Sequence, residues 1–253
     1  IVYITMNNLK KFFEINGWVV YKKLFTYHEI NLVKSIINDF LKNKIGEIDN
    51  KSRIINFAGK SKKNIKYINS FHELAQCDEI KNFAKKEKVL NISSEFLNSE
   101  PEFRGCELFA KPAKIGLPSP DHQDNYYWGV KGSNALTIWV ALNNSSKSNG
   151  CVHYYDGSHK YGVFDHEASF AKGSSQKISN SSFLKQFIIS YPELEPGDAI
   201  IHHSLVVHGS SKNISENSRR GWTIQFKDKN ASYDFEQIKK YEKSLNNQIQ
   251  SKR

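Results

Sequence analysis

Long apolar runs are missing from this sequence. None approaches the roughly 18 residues that a membrane-spanning helix needs, and Ala199-Ile200-Ile201 is broken at once by His202-His203, so no membrane partner is expected. Cysteine is scarce, at Cys77, Cys106 and Cys151. No Cys-x-x-Cys spacing joins them and three cannot all pair, which excludes a disulfide framework and predicts a reduced, cytoplasmic setting. Methionine occurs once, at Met6, and the stretch ahead of it is too short for the apolar region of a signal peptide; translation is expected to start at Met6 rather than Ile1. Arginine is also rare, supplying 5 of the 36 basic residues. The net charge of +10 invites a nucleic-acid reading, but the surplus sits on the flanks: residues 1–104 carry 18 basic and 12 acidic groups, 105–220 carry 11 and 10, and 221–253 carry 7 and 4. Lysine lacks arginine's two-pronged match to phosphate and base edges, so the charge reads as a solvated surface and not as a nucleic-acid face.

What is present suits a folded globule: 39% hydrophobic and 13% aromatic residues in 253, enough for a sizeable core. Leu9, Phe12 and Phe13 have helical spacing that Asn16-Gly17 ends, and Trp18-Val19-Val20-Tyr21 reads as a short strand. Thr26 can cap a second helix running to about Leu41. Residues 43–68, rich in lysine and asparagine, read as an irregular loop over a site, and 78–98 as one helix. From Glu107 to Phe226 short apolar segments alternate with turn residues, the pattern of an antiparallel sandwich or jelly roll. The tail 233–250 fits a closing amphipathic helix. No repeat or linker divides the chain, so a single domain over 6–253 is expected, mostly β, with a core of about 105–228 and helical flanks at 6–100 and 233–250.

Within that core, Pro120-Asp121-His122-Gln123-Asp124-Asn125 carries a candidate metal site. On extended chain His122 and Asp124 point to one face, and His208 from a distant strand would complete two histidines and a carboxylate, which leave positions open on an octahedral ion. His202 and His203 compete for the third place, and His159 is expected to face a substrate. Strand parity near the end of the core puts Arg219, Gly221, Thr223 and Gln225 on one face and Arg220, Trp222, Ile224 and Phe226 on the other. The first face suits a pocket, with Gly221 leaving room beside a bound diacid; Ser210, two residues after His208, would share its inward direction.

Lys111-Pro112, the His122-Gln123-Asp124 triplet, Trp139-Val140-Ala141-Leu142, Asn149-Gly150-Cys151, Gly157-Ser158-His159, Gly197-Asp198-Ala199, His208-Gly209-Ser210 and Arg219 follow one another as in the phytanoyl-CoA dioxygenase family, which the chain resembles over about 107–226. The resemblance implies a double-stranded β-helix of the jelly-roll, cupin-like kind, with Fe(II) held by His122, Asp124 and His208. It implies 2-oxoglutarate as cosubstrate, its distal carboxylate on Arg219 and Trp139 in the same pocket; Ser210, by its inward direction, and Gln123 are expected as further cosubstrate contacts. The implied reaction is hydroxylation of a C–H bond of a small molecule with O₂, releasing succinate and CO₂; the lysines favour an anionic substrate. Asp156 stands where the family usually has proline. A non-catalytic small-acid or metal-binding β-helix protein is the alternative, and a zinc hydrolase is disfavoured because no His-Glu-x-x-His occurs.

Overall fold

Helix α1 (Met6–Asn16) begins where Thr5 accepts a hydrogen bond from the backbone of Asn8, and it stops at Gly17, whose φ of 80° a side chain would resist. Strand β1 (Trp18–Tyr21) follows. Helix α2 (Tyr27–Glu47) opens with a reciprocal cap: the Thr26 hydroxyl accepts from Glu29 N–H, and the Glu29 carboxylate accepts from Thr26 N–H. The computed structural model describes residues 5–47, 54–59 and 64–250. The stretch expected to be irregular is partly regular, with α2 running to Glu47 and an edge hairpin of β2 (Ile55–Phe57) and β3 (Ile68–Phe71); residues 48–53 and 60–63 of it lie outside the described residues. Ile55 is buried opposite Phe71, a two-residue apolar signal too short to read among lysines.

The helix expected over 78–98 is two, α3 (Asp78–Ala84) and α4 (Glu87–Leu97). Lys86 between them is extended, at φ −57° and ψ 143°. Its ammonium binds Glu29 on α2, so a tertiary ion pair fixes a break that local periodicity hides. The rest runs β4 (Pro101–Lys111), β5 (Ser119–His122), α5 (Asp124–Trp128), β6 (Ala135–Ala141), β7 (Val152–Tyr155), β8 (His166–Ala171), β9 (Ser174–Ile178) and β10 (Ile189–Ser190). The last elements are β11 (Ala199–His203), β12 (His208–Ser210), β13 (Arg219–Asp228) and α6 (Phe235–Gln250).

These strands form an antiparallel seven-stranded sheet in the order β1-β11-β6-β13-β4-β3-β2, a four-stranded sheet β10-β7-β12-β5, and the hairpin β8-β9. Alternation decides which faces meet. Leu108, Ile138, Ile201, Trp222 and Ile224 on the outer face of the large sheet pack with Ile30, Val33 and Ile37 of α2 in the main core. Ile30, Val33 and Ile37 are fully buried, and each such side chain contributes about 1.5–3 kcal/mol. On the inner face Trp139 and Ile200 meet Val152 and Tyr154 of the small sheet. The result is the expected double-stranded β-helix, two facing sheets with the amino-terminal helices over one of them. Among the described residues no helix is long and apolar enough to cross a membrane.

Candidate metal centre and cosubstrate pocket

Strand β5 ends at His122, Gln123 stays extended at φ −119° and ψ 133°, and Asp124 opens α5. The expected two-residue parity therefore carries across the strand end. β12 pairs with β5 so that His208 stands directly opposite His122, their ring centroids 4.4 Å apart. A potential ligand atom of each of His122, Asp124 and His208 lies within 4.8 Å of the other two. Asp124 Oδ1 is 3.8 Å from His122 Nε2 and 3.6 Å from His208 Nε2.

Tautomers follow from the neighbours. His122 Nδ1 donates to the carbonyl of Pro120 at 2.7 Å, and His208 Nδ1 donates to that of Val206 at 3.0 Å. A carbonyl only accepts, so both Nε2 atoms keep a lone pair turned to the centre. Burial, then His208, push His122 down to about 4, and burial pushes His208 to about 4 against the pull of Asp124. Both rings are neutral at physiological pH. Burial alone would raise Asp124, but His208 and His202 outweigh it and hold the carboxyl below the usual carboxylate range. The centre thus offers two imidazole lone pairs and one carboxylate, a donor set that fits Fe(II).

Asp124 Oδ2 is held by the Thr137 hydroxyl at 2.6 Å and by His202 Nε2–H at 3.1 Å. His202 Nδ1 in turn accepts from the Tyr154 hydroxyl at 3.0 Å. Tyr154 stacks on Trp18, whose indole N–H donates to Asp156 at 2.8 Å. Asp156 thereby anchors the far end of a chain of contacts that ends on Asp124. With both nitrogens engaged, His202 supports the carboxylate. His203 Nδ1 accepts from Leu205 N–H, and its ring lies 5.4 Å from that of His159. His159 does not face the cavity as expected: it packs against Gly17, with Nε2 3.2 Å from the carbonyl of Glu14. Thr137 and Tyr154 were missed from the sequence; a threonine two residues before Trp139 in an otherwise apolar strand was the available signal for the first.

Arg219, Ser210 and Trp139 line one cavity with His122, Asp124 and His208. Arg219 is 2% exposed, its carbon Cζ 5.1 Å from the Trp139 ring centroid. Nε and Nη2 donate to the Gly150 carbonyl at 3.2 and 2.6 Å, and Nη1 to that of Phe109 at 3.4 Å. One N–H remains on each terminal nitrogen, a two-donor match for a carboxylate. Burial lowers Arg219 only to about 10, so it stays charged. Arg220 turns the other way, donating to Asn38 of α2 at 2.9 Å, as the parity predicts. Gly221 makes room for an indole and not for a diacid: a Cβ there would fall 2.0 Å from Trp139 Cζ2.

Gln123 does not reach this cavity. Flanked by two inward residues, it points outward and is fully buried, donating to the carbonyls of Gly162 and Leu205 at 2.8 and 2.6 Å while accepting from Phe164 N–H at 2.7 Å. It clasps loops and does not line the cavity expected to hold the cosubstrate.

A second space of about 560 Å³ adjoins the centre, sharing His122, Asp124, Glu107 and Phe109, with Ile54, Lys172 and Tyr241 on its outer walls. Glu107 accepts from His72 Nδ1 at 2.9 Å and from Gln225 Nε2 at 3.0 Å. Burial pushes His72 down, but the Glu107 carboxylate more than reverses this and raises it above the usual histidine range.

A model of the phytanoyl-CoA dioxygenase family matches residues 13–221. A probable phytanoyl-CoA dioxygenase of Caenorhabditis elegans is 24% identical over 231 residues, 86% of this chain and 73% of that one. A probable alpha-ketoglutarate-dependent hypophosphite dioxygenase of Stutzerimonas stutzeri is 26% identical over 208 residues, 79% of this chain and 72% of that one. Among solved structures, EctD from S. alaskensis with 2-oxoglutarate and 5-hydroxyectoine shares the fold, with a TM-score of 0.73, 19% identity and coverage of 89% of this chain and 77% of that one.

Proposed function

Because the chain belongs to the phytanoyl-CoA dioxygenase family, we propose that it hydroxylates a C–H bond of a small molecule, with His122, Asp124 and His208 as iron ligands and Arg219 and Ser210 at the distal carboxylate of 2-oxoglutarate. The chain is an Fe(II)/2-oxoglutarate-dependent dioxygenase; bound Fe(II) supplies oxidising power from O₂ as 2-oxoglutarate becomes succinate and CO₂. The observation that carries the ligand assignment is the convergence of two Nε2 lone pairs on one free carboxylate oxygen, each donor fixed from behind by a hydrogen bond. Held by these three residues, Fe(II) would keep positions the protein does not fill, where a 2-oxo acid and O₂ could bind. Trp139 walls the cosubstrate from the large sheet, and the tightly backed Asp124 keeps a carboxylate where a halogenating site would need space for halide.

The adjoining cavity is the substrate site on this reading. Lys172 on its wall and the flanking lysines support an anionic substrate, while Glu107 is already partnered by His72 and Gln225. Walls drawn from β2, the strand core and α6 support one oxygenase domain over 6–253, and three buried free cysteines support a reducing, cytoplasmic setting. The test is a mass-spectrometric screen of candidate metabolites for the gain of one oxygen atom, dependent on Fe(II) and 2-oxoglutarate. Tight binding of both without succinate from any candidate would favour the non-catalytic binding protein instead.

A further inference from the structure

We propose that Tyr154 and Trp18 form an electron-transfer chain between the metal centre and the protein surface, one that discharges the centre when O₂ has been consumed and no substrate C–H bond is within reach. The inference rests on the reading of His122, Asp124 and His208 as the iron ligands. Tyr154 of β7 stands opposite His208 in the ladder, and the two rings lie nearly parallel, with centroids 5.8 Å apart and planes at 28°. Trp18 of β1 stacks on the same tyrosine at 5.2 Å and 16°. Phe12 of α1 meets the indole edge-on at 5.2 Å and is 42% exposed. A run of ring contacts thus leads from His208 to solvent. Electrons tunnel readily across contacts this short, so the outcome turns on where the protons go.

Both redox-active rings hold their protons against an acceptor. The Tyr154 hydroxyl is buried and donates to His202 Nδ1 at 3.0 Å. Burial holds it well above the usual phenol range, so it is protonated before any oxidation. Loss of one electron makes a phenol a very strong acid, and here its acceptor is already in place. The imidazolium formed is paired with Asp124, whose Oδ2 accepts from His202 Nε2–H at 3.1 Å. Trp18 Nε1–H donates to Asp156 Oδ1 at 2.8 Å, a carboxylate able to take the indole proton in turn. Tyr127 lacks this provision. Its ring meets that of His122 edge-on at 5.7 Å, but its hydroxyl has Ser174 Oγ and the Gln176 carbonyl to donate to, both at 3.3 Å and neither a base.

Electrons and protons balance at each step. Tyr154 gives one electron to the centre and its phenolic proton to His202, and becomes a neutral phenoxyl radical. Trp18 supplies an electron to Tyr154, His202 returns the proton, and the oxidised indole passes its N–H proton to Asp156. An external one-electron donor, ascorbate or a thiol, reduces Trp18, and the proton comes back from Asp156. Two such passes, with two protons from solvent, reduce to water the oxygen atom that hydroxylation would have used.

Protein loaded with Fe(II) and 2-oxoglutarate, mixed with O₂ and no other substrate and then freeze-quenched, is read by electron paramagnetic resonance, with succinate measured in the same samples. A tyrosyl radical is expected, narrowed by ring-deuterated tyrosine, lost in Tyr154→Phe and longer-lived in Trp18→Phe. Peptide mass spectrometry should show Trp139 and Tyr127, which line the cavities, gaining oxygen faster in Tyr154→Phe than in the parent, with ascorbate protecting only the parent. A tyrosine that serves packing alone gives no radical. Succinate formed without a tyrosyl signal overturns the inference, and so does the same signal in Tyr154→Phe. Absence of succinate would sink the reading of the centre, and metal-free protein oxidised by flash-quenched ruthenium tris-bipyridine then decides the chain. The tyrosyl radical left in that protein should disappear in Tyr154→Phe, and its persistence would refute the role of Tyr154.

Discussion

His202 and His208 both approach Asp124, and their substitution separates support from ligation. His202→Ala removes the N–H that holds Oδ2 at 3.1 Å and strands the Tyr154 hydroxyl, but leaves Thr137 on the same oxygen and both Nε2 lone pairs in place. Loss of one such supporting contact weakens metal binding about 10- to 100-fold, or about 1.4–2.7 kcal/mol. His208→Ala removes one of three protein donors and should leave no saturable site at micromolar metal. Anaerobic titration of the purified variants with Fe(II), with circular dichroism to confirm folding, gives both constants. Equal and complete loss in the two variants would mean that His202 acts as more than a support. Retention of parent-like affinity by His208→Ala would move the third ligand to His202 and refute the tautomer reasoning.

Arg219→Ala should raise the dissociation constant for 2-oxoglutarate by about 2–5 kcal/mol, and Arg220→Ala, paired with Asn38 under α2, should leave it unchanged; the reverse would put the parity of β13 off by one. Gly221→Ala should drive a Cβ into Trp139, costing about 1–3 kcal/mol, and an unaltered melting temperature would show that the indole moves freely. Acid should destabilise the metal-free protein early. His122 and His208 fall to about 4 in the fold against an ordinary 6.5, so the unfolded chain binds more protons between those values and stability drops as pH falls from about 6.5 through about 4. Denaturant midpoints that stay flat across that window would contradict neutral, buried ligands.

Most of this arrangement was legible where it depends on local period. Parity placed His122 with Asp124 and Arg219 opposite in sense to Arg220, because alternation is a property of two or three consecutive residues. Thr26 and Gly17 marked helix ends for the same reason. Failures came where a distant group decides. Lys86 leaves the helix where Glu29 is there to receive it, Gly221 is open because Trp139 of the neighbouring strand fills the gap, and Gln123 turns to two loops that no spacing announces. His159 sits in a motif shared with the family, yet its ring is spent on the end of α1.

Charge on the inner face follows the same division. Lys111 and Glu107 lie four residues apart on β4, about 13 Å at the usual rise, and both point to the cavity. At one end Arg219 faces Lys111, with no acid among the described residues paired to either; at the other, Glu107 is engaged by His72 and Gln225. His122, Asp124 and His208 lie against the same cavity. On the proposed reading, a diacid would turn its distal carboxylate toward the cationic end and leave the other end to the substrate. The sequence shows a lysine and a glutamate on one parity, but the sorting exists only because β13 brings arginine to one of them and β3's exit brings histidine to the other. Reversing the charge at Lys111 should therefore expel 2-oxoglutarate without disturbing the metal ligands, which metal titration and cosubstrate binding measured on the same Lys111→Glu protein would separate.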